Sequence, residues 1–245
     1  MRRLIIEEPV TRGAVWAPRL AAFALAVVAM AAGLLRLGWV EPVAGLTALA
    51  GGLGLAALAV LCALAAFVMI WREGRRGLGQ AVRGLVLALA VLAWPALQGV
   101  RAATLPALTD VSTDIAAPPG FSRSRAALEA RSGRIPPDLP IEARRAQRGA
   151  YARIAPLTLD VTPEEAFELV RKAAAQQGWQ VVETVRPGGR MGDGRLDAVA
   201  RTTLLRLPAD VTVRIRPRAD GARIDVRSAS RFGVHDLGTN AARIR

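Results

Sequence analysis

Four residue types are nearly missing. Cysteine, histidine, lysine and tyrosine occur once each among 245 residues. A lone Cys62 excludes an intramolecular disulfide, and one cysteine with one histidine excludes a zinc site built from thiolates and imidazoles. Aromatic residues make up 4% of the chain, too few for the stacking platforms that read single-stranded nucleic acid. Also absent are a G-x-S-x-G nucleophile elbow and a phosphate loop; the glycines of "GGRMGDG" (188–194) do not lie between a strand and a helix. No cofactor, no metal and no nucleic-acid partner are therefore expected. The near-replacement of lysine by arginine, with Lys172 alone among 33 basic residues, points to a GC-rich bacterial genome.

Apolar residues are abundant at 52%, and they are segregated from the charges. Uncharged runs extend from Leu20 to Leu35, from Val43 to Trp71 and from Gly84 to Val100. A hydrocarbon core of ~30 Å takes about 20 apolar helical residues. The second run exceeds that length. The other two reach it when Arg19, Arg36, Arg83 and Arg101 extend their head groups to the interface. Buried helices of a water-soluble protein would each carry a polar stripe, and the second run carries none. A cleaved leader is excluded by the length of the first run and by the second run close behind it. Three transmembrane helices are expected at about 18–38, 43–71 and 82–100, and the lipid bilayer is the first partner.

Arginine asymmetry gives the orientation. Arg2, Arg3, Arg12 and Arg19 precede the first span, and Arg72, Arg75, Arg76 and Arg83 separate the second from the third, whereas the first turn holds only Arg36 beside Glu41. Positive loops stay cytoplasmic. The expected location is a bacterial inner membrane, with the N-terminus inside and everything beyond Arg101 in the periplasm. The division expected is a membrane domain over 1–101, a tether and irregular region over 102–150, and a periplasmic domain over 151–245.

The outer half reads as α+β. "LTLDV" (157–161) alternates like a strand, and "TPEEAFELVRKAAAQQG" follows as a helix. Thr162 is its N-cap, Pro163 fits the first turn, Glu165 completes a capping box and Gly178 ends it. Strands are expected at 179–185 and from Arg195, then a hairpin turning at Asp220–Gly221. A short last helix would be capped by Thr239 or Asn240. The result is an antiparallel sheet packed on one main helix.

Alternation places Val211, Val213 and Ile215 on one face of the hairpin, and Arg214, Arg216, Arg227 and Arg231 with Asp225 on the other. Arg201 is expected to join them from the next strand. Two readings stand side by side. The charged face is a solvated surface with weak ion pairs, or it binds an anionic lipid headgroup, an envelope polymer or an envelope protein through bidentate arginines. The run "RSASRFGVHDLGTN" (227–240) also offers triad ingredients in Ser228, Ser230, His235 and Asp236. A hydrolase would use His235 and Asp236 with Asp110 or Asp114. Against it, His235 and Asp236 are adjacent and the serines point to the apolar side, whereas a triad needs a base oriented by a third group. The competing reading is a structural loop, with Gly233 and Gly238 in tight turns and Arg227 and Arg231 clamping the "STD" segment. A third alternative is a structural subunit of a membrane complex, suggested by Gly51, Gly52 and Gly54, which let helices approach closely.

"LTDVSTD…PPGF", "YARIAPLTLDVTPEEAF", "GW" and "RSASRFGVHDLGTNAARIR" together resemble the family called domain of unknown function 1499, over Leu108 to Arg245. The resemblance implies no known activity, substrate or cofactor. It does imply that Arg227, Ser228, Ser230, Arg231, Gly233, His235, Asp236, Gly238, Asn240 and Arg243 act as one motif, with Asp110, Ser112, Thr113 and Asp114 belonging to it. It also implies a final helix running further than Arg245.

Overall fold

A computed structural model describes residues 9–188 and 192–245. Arg2 and Arg3 of the orientation argument, and residues 189–191 of the expected glycine-rich loop, lie outside the described residues. The chain forms two compact units, residues 1–100 and 101–245.

The first unit is built on α1 (Arg12–Leu37), α2 (Pro42–Glu73) and α3 (Leu78–Thr104). All three are long and apolar enough to cross a membrane. They extend past the apolar runs because their ends have their own stops. The Thr11 hydroxyl accepts from the Ala14 amide, and Gly38 and Gly74 close α1 and α2 in the left-handed conformation. The helices meet through small side chains in three layers, each layer taking one residue from each helix: Ala14, Ala66 and Ala81; Ala21, Ala59 and Ala88; Ala24, Ala56 and Val91. In lipid no hydrophobic force drives helices together, so close backbone approach does. A Cβ on Gly84 would stand 2.6 Å from the Pro18 nitrogen, and one on Gly52 would stand 2.7 Å from Val28. Gly51 and Gly54, grouped with Gly52 in the sequence, have nothing within 4 Å.

The second unit contains β1 (Asp110–Ser112), α4 (Arg125–Ala130), α5 (Ile141–Ala150), β2 (Leu157–Leu159), α6 (Pro163–Gln176), β3 (Gln180–Val185), β4 (Gly194–Arg201), β5 (Pro208–Arg218), β6 (Gly221–Ser230) and α7 (Thr239–Ile244). The antiparallel sheet runs β1-β6-β5-β4-β3, and β2 pairs β6 on the same edge as β1. The main helix is α6, and it starts as expected: the Thr162 hydroxyl accepts from the Glu165 amide while the Glu165 carboxylate accepts from the Thr162 amide. Its buried side, Ala166, Phe167 and Ala174, covers Leu196, Val211, Val213, Ile215 and Ile224. The β5–β6 loop is Ala219–Asp220, with Arg218 paired to Gly221. Gly221 has φ +129°, and a Cβ there would collide with the Leu159 carbonyl of β2.

Residues 102–150 differ most from expectation. The segment read as a tether supplies an edge strand, and residues 113–140 then lie as a strap across the sheet face away from α6. The Thr113 amide and hydroxyl bond the backbone of Val226. The Ser122 amide donates to Asp197 on β4, and Ser124 donates to Glu183 on β3. The open edge of β1 is closed by a side chain: the buried Gln147 amide of α5 brackets Ser112, accepting from its N–H and donating to its carbonyl.

Candidate functional site

Residues directly opposite in an antiparallel ladder share a face. The register pairs Arg214 with Asp225, Thr212 with Arg227, Arg216 with Arg223, Asp197 with Thr212, and both Asp110 and Asp210 with Ala229. Four strands therefore place their charges on one side, and the strap covers them.

The inner half of this lattice is buried. Arg131 of the strap, 3% exposed, sits 2.7 Å from Asp197 and 3.7 Å from Asp210. Arg231 reaches Asp210 at 2.7 Å and donates to the Ala130 carbonyl. Arg227 grips Asp110 through Nε and Nη2, the shortest contact being 2.7 Å, and donates to the carbonyls of Pro119 and Pro137. The Phe121 ring takes both Arg131 and Arg227 guanidiniums at 5.1 and 4.9 Å. Burial raises the carboxyls of Asp110 and Asp197 against the pull of their arginines. Such charges are tolerated only because each has a partner.

The outer half is more open. Arg214, Arg216 and Arg223, between 21% and 31% exposed, converge on the two carboxylates of Asp114 and Asp225. Burial acts to raise the Asp114 carboxyl, but the Ala117 amide with Arg223, Arg216 and Arg214 outweighs it and holds the group below its ordinary value. Three cations face two anions here, and the Arg216 Nε is buried with no hydrogen-bond partner.

The charged face is thus not a solvated surface: its inner half is buried, and only its outer half, at Arg214, Arg216 and Arg223, stays partly exposed. Arg227 and Arg231 are internal. Arg201 does not join the lattice; it is exposed at the end of β4 and donates to the Arg206 carbonyl. Arg223 belongs to the lattice and was missed, although it shares parity with Asp225. Nothing in the sequence marked Arg131 as its buried counterpart.

The triad ingredients have other work. His235 Nδ1 accepts from the Leu237 amide at 2.9 Å, so Nε2 carries the proton and donates to the Leu105 carbonyl at 3.1 Å. Asp236 accepts from the amides of Gly238 and Asn240, both at 2.9 Å. Asp236 therefore serves the start of α7, where the sequence suggested Thr239 or Asn240. Those two residues lie inside the helix. Gly233 and Gly238 have φ +84° and +78°. Ser228 donates to Asn240 at 2.8 Å and accepts from Arg243, and Ser230 accepts from Asn240 at 3.0 Å. Among the described residues neither serine bonds His235. Asp110, Ser112, Thr113 and Asp114 dock against this same strand, so the STD segment and the RSASR strand form one assembly. Among the described residues no group of three histidines, cysteines or carboxylates could hold a metal ion.

Residues 110–245 match the family model described as a protein of unknown function, DUF1499. No curated protein and no solved structure matches the chain.

Proposed function

The chain belongs to the DUF1499 family of proteins of unknown function, and on that premise we propose a membrane-anchored binding protein. Its three spans hold the N-terminus on the cytoplasmic side of a bacterial inner membrane, following the arginine asymmetry, and carry the C-terminal domain in the periplasm. That domain binds an anionic group, a phosphate or carboxylate of an envelope component, without catalysing its conversion.

The observation carrying this reading is the excess of guanidinium over carboxylate at the outer end of the lattice, with an unpartnered Arg216 Nε beside it. Arg is suited to such anions because its planar fork makes paired, charge-assisted bonds. Arg214 and Arg195, opposite each other in register, also line a depression of about 250 Å³ beside Gly120. The hydrolase alternative has less support, because both His235 nitrogens and both Asp236 oxygens are occupied by backbone.

The test is thermal unfolding of the full chain in neutral-lipid nanodiscs, with inorganic phosphate added or with an anionic phospholipid included. A salt-sensitive rise in unfolding temperature that disappears in Arg216→Gln is expected. Response to phosphate alone identifies a soluble or polymer-borne anion, and response to the lipid alone identifies a headgroup. An unchanged wild type under both conditions, or an Arg216→Gln protein that responds equally, sinks the proposal.

A further inference from the structure

A second cavity, of about 330 Å³, lies at the inner end of the charged face, where the proline-rich return of the strap crosses β1, β6 and the start of β5. Its volume falls at the lower end of small-molecule sites. Two different surfaces meet in it. One wall is apolar, from Leu108, Ile135, Pro136 and Leu139. The floor holds Asp110 and Asp210, which both stand opposite Ala229 on neighbouring strands. Two strand spacings separate their backbones by ~9.6 Å, and Ala229 of β6 stands between them in the ladder.

The charge around this floor cancels. The two carboxylates of the floor, Asp110 and Asp210, are matched by Arg227 and Arg231. The lining also holds one further residue of each sign, Arg134, which stacks over the Phe232 ring, and Asp138. An ion entering here gains no net attraction. The mutual pairing instead holds carboxylate and guanidinium groups rigidly, so that the floor offers fixed acceptors and donors. A hydroxyl group is the ligand function that both donates and accepts. A ligand with several hydroxyls and an apolar edge fits both surfaces at once.

We propose that this cavity binds a neutral, polyhydroxylated ligand, a saccharide unit, with its ring face against Ile135 and Pro136 and its hydroxyls on the Asp110–Ala229–Asp210 floor. The site lies apart from the Arg214–Arg216–Arg223 group, so it stands or falls independently of anion binding there.

The test is saturation-transfer NMR on the full chain in nanodiscs, with glucose and N-acetylglucosamine as neutral probes, and glucuronate and glucosamine as charged ones. Transfer to the neutral sugars is expected, weaker for both charged analogues and abolished in Ala229→Leu, which fills the gap between the carboxylates. Because Ala229→Leu risks the fold, Ile135→Ser provides a second variant on the half-open wall, and it should weaken binding about tenfold. Arg216→Gln should leave the sugar signal intact. Absence of transfer from every probe, tighter binding of a charged analogue, or unchanged binding in a folded Ala229→Leu or in Ile135→Ser overturns the assignment.

Discussion

Leu196 and Asp197 are neighbours on β4, point to opposite faces of the sheet, and are both fully buried. Under α6 the leucine lies among aliphatic side chains. Under the strap the aspartate accepts from Arg131 and from the Ser122 amide. One sheet therefore has two interiors governed by different physics. The apolar face gains from area removed from water, which is non-directional and tolerant of detail. The charged face gains only where every ion meets a partner in the right geometry, because desolvation of each ion opposes the pairing. The strap buries few apolar side chains, Phe121, Ala127 and Leu139 among them, and its polar contacts to Asp197 and Glu183 fix where it docks on the sheet.

The comparison is broken most severely by Asp197→Ala. It leaves Arg131 buried without its nearest carboxylate, and a loss of about 3–5 kcal/mol is expected. Denaturant unfolding of the full chain in detergent measures it. Leu196→Ala, one residue away, is expected to cost about 2–5 kcal/mol through lost transfer energy and a cavity. A strap that stays protected from protease in Leu196→Ala but is cut in Asp197→Ala would separate the two interiors; equal protection in both would merge them.

A finer test uses acid. The Asp114 carboxyl is held below its ordinary value of 3.8, so its contribution is present above that pH and is lost as pH falls through its lower folded value. Asp110 and Asp197 run the other way: their raised values make the folded state take up protons first, so their penalty is relieved as pH falls toward 3.8. Asp114→Asn is expected to flatten the acid limb of an unfolding titration followed by tryptophan fluorescence, and an unaltered limb would disprove the coupling. The smallest net change is expected from Arg131→Met with Asp197→Leu. Replacing a buried pair by apolar residues is often neutral or stabilising by about 1–4 kcal/mol. If stability holds while strap protection falls, the charged lattice contributes register rather than stability. A loss as large as that of Asp197→Ala would refute that division.

The apolar interior was legible in advance. Thr162, Pro163 and Glu165 announce α6 by local hydrogen bonding, and Val211, Val213 and Ile215 announce the covered face by alternation alone. The parity that grouped Arg214, Arg216, Asp225 and Arg227 was equally legible, and it holds. Their fate was not. Asp114 meets Arg223 across 109 residues and Arg131 meets Asp197 across 66, and no periodicity links such partners. Residues 113–140 are short of apolar pattern because their task is to satisfy charges, so they looked like a tether. His235 and Asp236 looked chemical for a related reason: a side chain that serves backbone amides has the same letters as one that moves protons.

The sequence by itself determined three helices fit to span a membrane, an arginine asymmetry in the segments that flank them, and the two-faced hairpin of the C-terminal domain. These follow from length, composition and period, which are local properties of a chain. Only the tertiary structure decided that much of the charged face is an interior, that its outer end keeps a surplus of guanidinium, and that a cavity lies at its inner end. Each of those depends on which distant charge stands beside which, and electrostatic pairing is a property of positions in space.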